Sequence, residues 1–211
     1  MFEEARWINP PQKFTVGQSE LTLETEPGTD FWQRTFYGFR NNNAPAFVFD
    51  RSDNFTFSAS IECEYTTLFD QAGIVIWIDE NNWIKASLEY ENEEFSRLGA
   101  VVTNNGYSDW STRNSRAVAR IEFRVSRRGP DFLIEARTDS QWEQLRIAHL
   151  GALGDTTVQM GSTPSAELLA GPSVGVGIYA CSPGDSHFEA KFGQMVFTQT
   201  KWAMHKGQQG A

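Results

Sequence analysis

Four side chains between positions 77 and 89 have the types and spacing to hold a flat, polar molecule: Trp77, Trp83, Lys85 and Glu89. They lie in DQAGIVIWIDENNWIKASLE, Asp70 to Glu89, with Gln71 at its start. Indole rings stack on the apolar faces of pyranose rings, while Lys, Glu, Asn and Gln bond the hydroxyls. Binding sites commonly set a few such polar groups in apolar walls. Trp32 and the segment Ser108-Asp109-Trp110-Ser111, after the turn-prone Asn104-Asn105-Gly106, carry the same chemistry. Each has a plain alternative. The tryptophans could be core or rim packing, and Asp109, like Asp30 in Thr29-Asp30-Phe31-Trp32, could cap its own turn. The ligand-binding candidates are therefore Gln71, Trp77, Trp83, Lys85, Glu89, Asp109 and Trp110.

Catalysis of glycoside cleavage needs two carboxyl groups, ~5 Å apart in retaining enzymes and ~6.5–9.5 Å apart in inverting ones. Glu62 and Glu64 share one side of a strand opposite a clean apolar alternation, so a solvent face is the simpler reading. Glu89 could meet Asp109 or Glu189 in space, but spacing along the chain does not bring them together, and no catalytic residue is assigned. The histidines, His149, His187 and His205, show no metal-ligand spacing such as HExxH. No Asp-x-Asp loop gathers oxygens for calcium. There is no Gly-x-Ser-x-Gly, and GPSVGVG at 171–177 lacks the lysine and following helix of a phosphate loop. Neither a metal nor a cofactor is expected.

The elements that must position these residues are strands. Phe55, Phe57, Ala59, Ile61, Cys63 and Tyr65 alternate with Thr56, Ser58, Ser60, Glu62 and Glu64, a period of two. The same alternation recurs at Leu21/Leu23, Phe47/Phe49, Ile121/Phe123/Val125, Phe132/Ile134 and Val174/Val176/Ile178, with a final run from His187 to Thr198. Turn residues separate the runs: Pro27-Gly28, Asn41 to Asn43, Asn104 to Gly106, Arg128-Gly129-Pro130, Ser182-Pro183-Gly184. About a dozen short strands with such punctuation mean an antiparallel sandwich or barrel. The one short helix expected is Ser165 to Leu169. The small-residue stretch from Gly151 to Gly171 reads as a long loop near one rim.

Register decides what the 70–89 hairpin presents. If Ile78 pairs with Ile84 around an odd-length turn, Ile74, Ile76 and Ile78 share a face with Ile84, Ala86 and Leu88. Gly73, Val75 and Trp77 then share the other with Lys85, Ser87 and Glu89, and Gly73 leaves room beside them. A slip by one mixes charge into both faces and wastes roughly 1.5–3 kcal/mol per large side chain. Lys85 and Glu89 stand ~13 Å apart along the strand, too far to pair without a group between them.

Size and composition bound the rest. A chain of 211 residues fits one all-β domain and buries roughly 70% of its unfolded surface. We expect a single domain over 1–211, with its core at about 7–200 and a flexible tail at 201–211. The 16 Phe and 7 Trp favour sheets, where bulky rings pack on a pleated surface. A net charge of −9 and a pI near 4.9 repel phosphate backbones, so neither nucleic acid nor membrane is an expected partner. MFEEARWINPPQ has acids where a signal peptide carries bases, which points to the cytoplasm. Cys63 and Cys181 are then expected as buried free thiols.

Several segments match a family pattern: WINPP at 7–11, TDFW at 29–32, Tyr37-Gly38-Phe39, DQAG at 70–73, Trp83-Ile84-Lys85 with Glu89, VVTNNGYSDWS at 101–111 and YACSP at 179–183. In order and spacing they resemble an uncharacterised concanavalin A-like family that includes the fungal regulation-of-enolase proteins, and the match runs from about residue 7 to 198. The resemblance implies a two-sheet antiparallel jelly roll of lectin/glucanase type, with a concave sheet able to hold a ligand. Glucanases of that fold carry a Glu-x-Asp-x-x-Glu run, which is not found here. Three readings follow: a soluble protein binding a carbohydrate or small polar ligand on the concave sheet, a cytoplasmic regulatory module for a protein partner, and, less favoured, a glycoside hydrolase.

Overall fold

Period-two alternation is realised as strands along nearly the whole chain. The computed structural model describes residues 2–65, 67–116, 118–156, 171–199 and 202. Among these the strands are β1 (Ala5–Ile8), β2 (Phe14–Val16), β3 (Glu20–Glu24), β4 (Phe31–Gln33), β5 (Arg40–Asn42), β6 (Ala46–Arg51), β7 (Thr56–Cys63), β8 (Gln71–Asp79), β9 (Asn82–Tyr90), β10 (Ser96–Asn104), β11 (Tyr107–Ser115), β12 (Arg120–Arg128), β13 (Asp131–Arg137), β14 (Glu143–His149), β15 (Val174–Cys181) and β16 (Glu189–Thr198). The count exceeds a dozen because three-residue strands such as β2, β4 and β5 are too short to show a period. The expected helix at Ser165 to Leu169, most of the 151–171 loop and nearly all of the tail lie outside the described residues. No helix among the described residues is long and apolar enough to cross a membrane.

The strands form two seven-stranded antiparallel sheets, ordered β1-β6-β15-β8-β9-β10-β11 and β14-β13-β12-β7-β16-β3-β2, with β4-β5 as a separate hairpin. This is a two-sheet sandwich of jelly-roll type. The main core lies between the sheets. Ile74, Ile76, Ile84, Leu88, Leu98, Val176 and Ile178 of the first sheet meet Leu23, Phe57, Ile61, Phe123, Val125, Ile134 and Phe192 of the second. Each large side chain removed from water contributes about 1.5–3 kcal/mol, which is why every alternating run turns its apolar face inward. Cys63 and Cys181 are free and buried.

The hairpin that carries the candidate site has the expected faces but a different register. Ile76, not Ile78, pairs with Ile84, and Trp77 pairs with Trp83. A bulge at Ile78 then brings Asp79 opposite Asn82 across a two-residue turn. The slip is two residues, so each side chain keeps its face. Ile78 still packs against the main core. Gly73, by contrast, leaves no room. A Cβ there would lie 1.8 Å from the carbonyl oxygen of Ala86, and one at Gly177 would lie 1.9 Å from that of Phe47. Glycine at these positions permits close approach of neighbouring strands.

The outer face of the first sheet has its own small core. Val48, Val75, Trp77, Trp83, Val101 and Tyr179 are covered by Phe31, Trp32 and Ala44 of the segment carrying the β4-β5 hairpin. Beyond the hairpin's edge the same face opens into a cleft.

Candidate functional site

Strand β9 supplies Lys85, Ser87 and Glu89 in alternation on the outer face, and β8 sets Gln71 opposite Glu89. Strand β10 adds Arg97, Gly99 and Val101, opposite Glu89, Ser87 and Lys85. Strand β11 adds Trp110, paired with Val101. With Asp30, Trp32, Tyr37, Phe39, Phe69 and Pro183 these residues line a cleft of about 190 Å³. Sites for drug-sized ligands hold roughly 300–1,000 Å³, so this cleft suits a small molecule or the end of a chain.

A buried ion pair organises the floor. Lys85 Nζ donates to Asp30 Oδ1 at 2.8 Å, with the two side chains 5% and 13% exposed. Burial works against the Lys85 charge, yet Asp30, joined by Cys181 and Glu89, holds its pKa above the ordinary lysine value. The ammonium also lies 5.7 Å from the centre of the Tyr179 ring. The same Asp30 oxygen accepts the Phe31 backbone N–H at 2.7 Å, so Asp30 both caps the start of β4 and anchors the hairpin to the sheet.

Glu89 is the second carboxyl group. Gln71 Nε2 donates to its Oε2 at 2.9 Å. Burial, only partly opposed by Lys85, pushes its pKa up to about 7. Gln71 is fully committed: its amide also donates to the Phe69 carbonyl at 3.2 Å, while its oxygen accepts from Tyr179 Oη at 2.9 Å and from Ser87 Oγ at 3.4 Å. An amide has two donors and two acceptor sites, so Gln71 orients Glu89 and has nothing left for a ligand. Arg97 donates from Nε to Glu91 and from Nη1 to Asn114. The carboxylate oxygens with no partner among the described residues are therefore Glu89 Oε1 and Asp30 Oδ2, and the donors left over include Arg97 Nη2 and two of the three Lys85 Nζ protons.

Aromatic rings form the rim. Trp32 meets Tyr37 edge-on at 5.5 Å, and Tyr37 stacks on Phe39 at 5.5 Å. Tyr37, Phe39, Phe69 and Trp110 are all exposed. Phe69 has φ 74°, a conformation uncommon for a bulky residue and found where the surroundings impose it.

Of the candidates, the structure brings together Gln71, Lys85, Glu89 and Trp110, and Trp32 joins them. It removes three. Trp77 and Trp83 do share the outer face, but they pack against Phe31 at 5.2 and 5.7 Å beneath the hairpin. Trp83 is wholly buried and its indole N–H has no acceptor among the described residues, so it is a packing ring. Asp109 follows the opposite parity of β11 and bonds Arg146 of the second sheet at 2.8 Å. Neither carboxylate pairing considered for Glu89 forms: Asp109 lies with Arg146, and Glu189 lies on the second sheet beside Lys191. Asp30, Arg97, Tyr37, Phe39 and Phe69 were not among the candidates. Asp30 had a signal, since a buried lysine at 85 requires an acid somewhere in the chain.

Fold and cleft together define a β-sandwich protein with an aromatic-walled cleft, a few polar groups on its floor, on the outer face of one sheet. The chain belongs to the family described as "Protein of unknown function (DUF1349)", whose model matches residues 7–200. It is 34% identical over 147 residues to Regulation of enolase protein 1 of Saccharomyces cerevisiae, covering 69% of this chain and 73% of that one. A crystal structure titled as a functionally unknown protein from Saccharomyces cerevisiae superposes with a TM-score of 0.79 at 28% identity, over 95% of this chain and 99% of that one. The alginate lyase from Klebsiella pneumoniae gives 0.55 at 10% identity, over 89% and 84%. A Bacteroides ovatus protein titled "Xyloglucan PUL GH43B" gives 0.59 at 16% identity, over 92% of this chain but 39% of its own. The last two likenesses concern the fold alone.

Proposed function

We propose that this protein binds a carbohydrate-type ligand, with the terminal ring seated in the cleft. The observation that carries the reading is the pairing of exposed aromatic rings with two carboxylate oxygens, Glu89 Oε1 and Asp30 Oδ2, that lack a protein partner. Acceptors of this kind suit hydroxyl donors, and ring faces suit the C–H faces of a sugar. A phosphate or uronate would meet Glu89 beside two cations, Lys85 and Arg97, that are already paired with Asp30 and Glu91, so a neutral sugar fits better. The test is a glycan array followed by calorimetry. Trp110→Ala and Glu89→Ala are each expected to weaken binding about tenfold or more, about 1.4 kcal/mol. Absence of binding by the unaltered protein, or affinity unmoved by both substitutions, would sink the reading.

A second reading, a regulatory module that docks a protein partner, draws on the name of the Saccharomyces relative and on the exposed rings of the rim. It predicts a captured protein that is lost on Trp110→Ala and not displaced by any sugar. Glycoside hydrolysis is less favoured. A carboxyl near pH 7 has the range of a general acid, but the other acid of the cleft, Asp30, is held by Lys85. Turnover of chromogenic glycosides, abolished by Glu89→Gln, would overturn that ranking.

A further inference from the structure

The aromatic wall of the cleft also borders a second, shallower groove. Trp32, Tyr37 and Trp110 line both hollows, while Thr35, Phe36, Ser108 and Asp109 line only the outer one. The two are therefore contiguous across three rings. A ligand that fills the small cleft and continues as a chain has this groove as its nearest path.

The tip that builds the groove is held in an unusual shape. Phe36 is 92% exposed and has φ 64°, between Arg34 at 56° and Gly38 at 78°. A bulky residue in the left-handed region is an outlier. The exposed ring also meets Tyr37 edge-on at 5.0 Å. The tip is tied down rather than loose. Arg34 N donates to the Phe39 carbonyl at 2.8 Å, Gly38 N donates to the Arg34 carbonyl at 2.6 Å, and Arg34 Nη1 donates to the Gly106 carbonyl at 3.3 Å. Its guanidinium lies 5.0 Å from the centre of the Tyr107 ring. An apolar ring is thus presented to solvent on a fixed support, beside the proposed binding cleft.

We propose that the outer groove is a second subsite, which takes the next ring of a saccharide whose terminal ring occupies the cleft. The inference rests on the cleft reading above. The polar groups of the groove are largely committed: Ser108 Oγ accepts the Gln33 N–H at 2.9 Å and lies 2.8 Å from Thr103 Oγ1, and Asp109 Oδ1 bonds Arg146. What the groove offers is ring faces. It therefore favours a second ring by stacking, with little regard to the pattern of its hydroxyls.

The test is calorimetry with glucose, cellobiose and cellotriose, and with xylose, xylobiose and xylotriose, on the protein and on Phe36→Gly. The disaccharide is expected to bind at least tenfold tighter than its monosaccharide, with little added by the third unit. Phe36→Gly should abolish that gain, leave monosaccharide affinity unchanged and not lower the melting temperature, since glycine adopts the left-handed backbone without strain. A monosaccharide that binds without any gain from the second unit, or a gain that survives Phe36→Gly, overturns the second subsite and leaves the cleft reading standing. No binding of any of the six sugars, with a blank glycan array, overturns both; where the array supplies another binding sugar, its monosaccharide and disaccharide take the place of these six in the same comparison.

Discussion

The outer faces of the two sheets handle charge in opposite ways. On the second sheet, Glu62, Arg120, Glu122 and Arg137 form a row of ion pairs across β7, β12 and β13. Arg124 and Glu135 pair beside it at 2.7 Å, and Trp142 takes Arg124 and Arg137 at 4.4 and 4.9 Å from its ring. Positive and negative groups alternate there, and most stay in contact with water. On the first sheet a hairpin lies over the middle of the face, between the exposed Arg6–Asp50 pair at one edge and, beyond it, the buried Lys85–Asp30 pair, Glu89 and the Arg97–Glu91 pair. One face is neutralised pair by pair. The other keeps a carboxyl group whose charge is not fully compensated, next to exposed rings, and that imbalance marks it as the binding face.

The largest effect that could break this contrast is at Lys85. Lys85→Ala leaves Asp30 in place, 13% exposed and without its cation. Removing one partner of a buried pair costs about 3–5 kcal/mol. Urea unfolding should show a lower midpoint with an unchanged slope. The double variant Lys85→Met with Asp30→Asn should recover most of the loss, because replacing both charges together removes the stranded carboxylate. A Lys85→Ala protein as stable as one altered on the second sheet would erase the difference between the faces.

Glu89 gives the next largest effect, and it depends on pH. Its carboxyl is raised from 4.5 to about 7 in the folded protein, so between those values the folded state holds the proton more tightly than the unfolded one. Its favourable contribution is therefore fully present below about pH 4.5 and is lost as pH rises through about 7. Glu89→Gln should be as stable as the parent at pH 4. At pH 8 it should be more stable, by up to about 3 kcal/mol. Chemical unfolding at both pH values measures it; a constant difference would show that Glu89 is not held as described.

Much of this contrast could be read before the fold was known, and its limits are physical. Parity assigned Trp77, Trp83, Lys85 and Glu89 to one face, because a strand's side chains alternate whatever its partner. Parity is blind to a slip of two, so the bulge at Ile78 and the pairing of Ile76 with Ile84 could not be deduced from it. Nor could the fate of the tryptophans. Whether Trp77 and Trp83 line a cleft or a core depends on Phe31 and the β4-β5 hairpin, at least 35 residues earlier in the chain and joined to the site by tertiary packing alone. Asp30 was legible as either a turn cap or a group reaching the face from a loop. It proves to be both, a cap and the counter-ion of Lys85, a pairing across 55 positions. Phe69 at the rim and Phe36 in the outer groove rest on left-handed backbone at non-glycine residues, which composition does not announce.

Smaller effects sharpen the other side. Arg124 is only 21% exposed and Glu135 12%, so Arg124→Ala should cost about 1–2 kcal/mol, through a charge-assisted bond and the lost contact with Trp142. Arg120 and Glu62 are 45% and 49% exposed, and exposed pairs contribute about 0–1 kcal/mol. Arg120→Ala should therefore shift the urea midpoint least of all, and the shift should fade in 1 M salt, where the screening length falls to about 3 Å. The deficit of Lys85→Ala should persist in the same salt, because its carboxylate lies largely out of reach of the ions. Measuring both variants at low and high salt separates a face screened by solvent from one covered by protein, and equal salt sensitivity would mean that the hairpin does not shield the cleft floor.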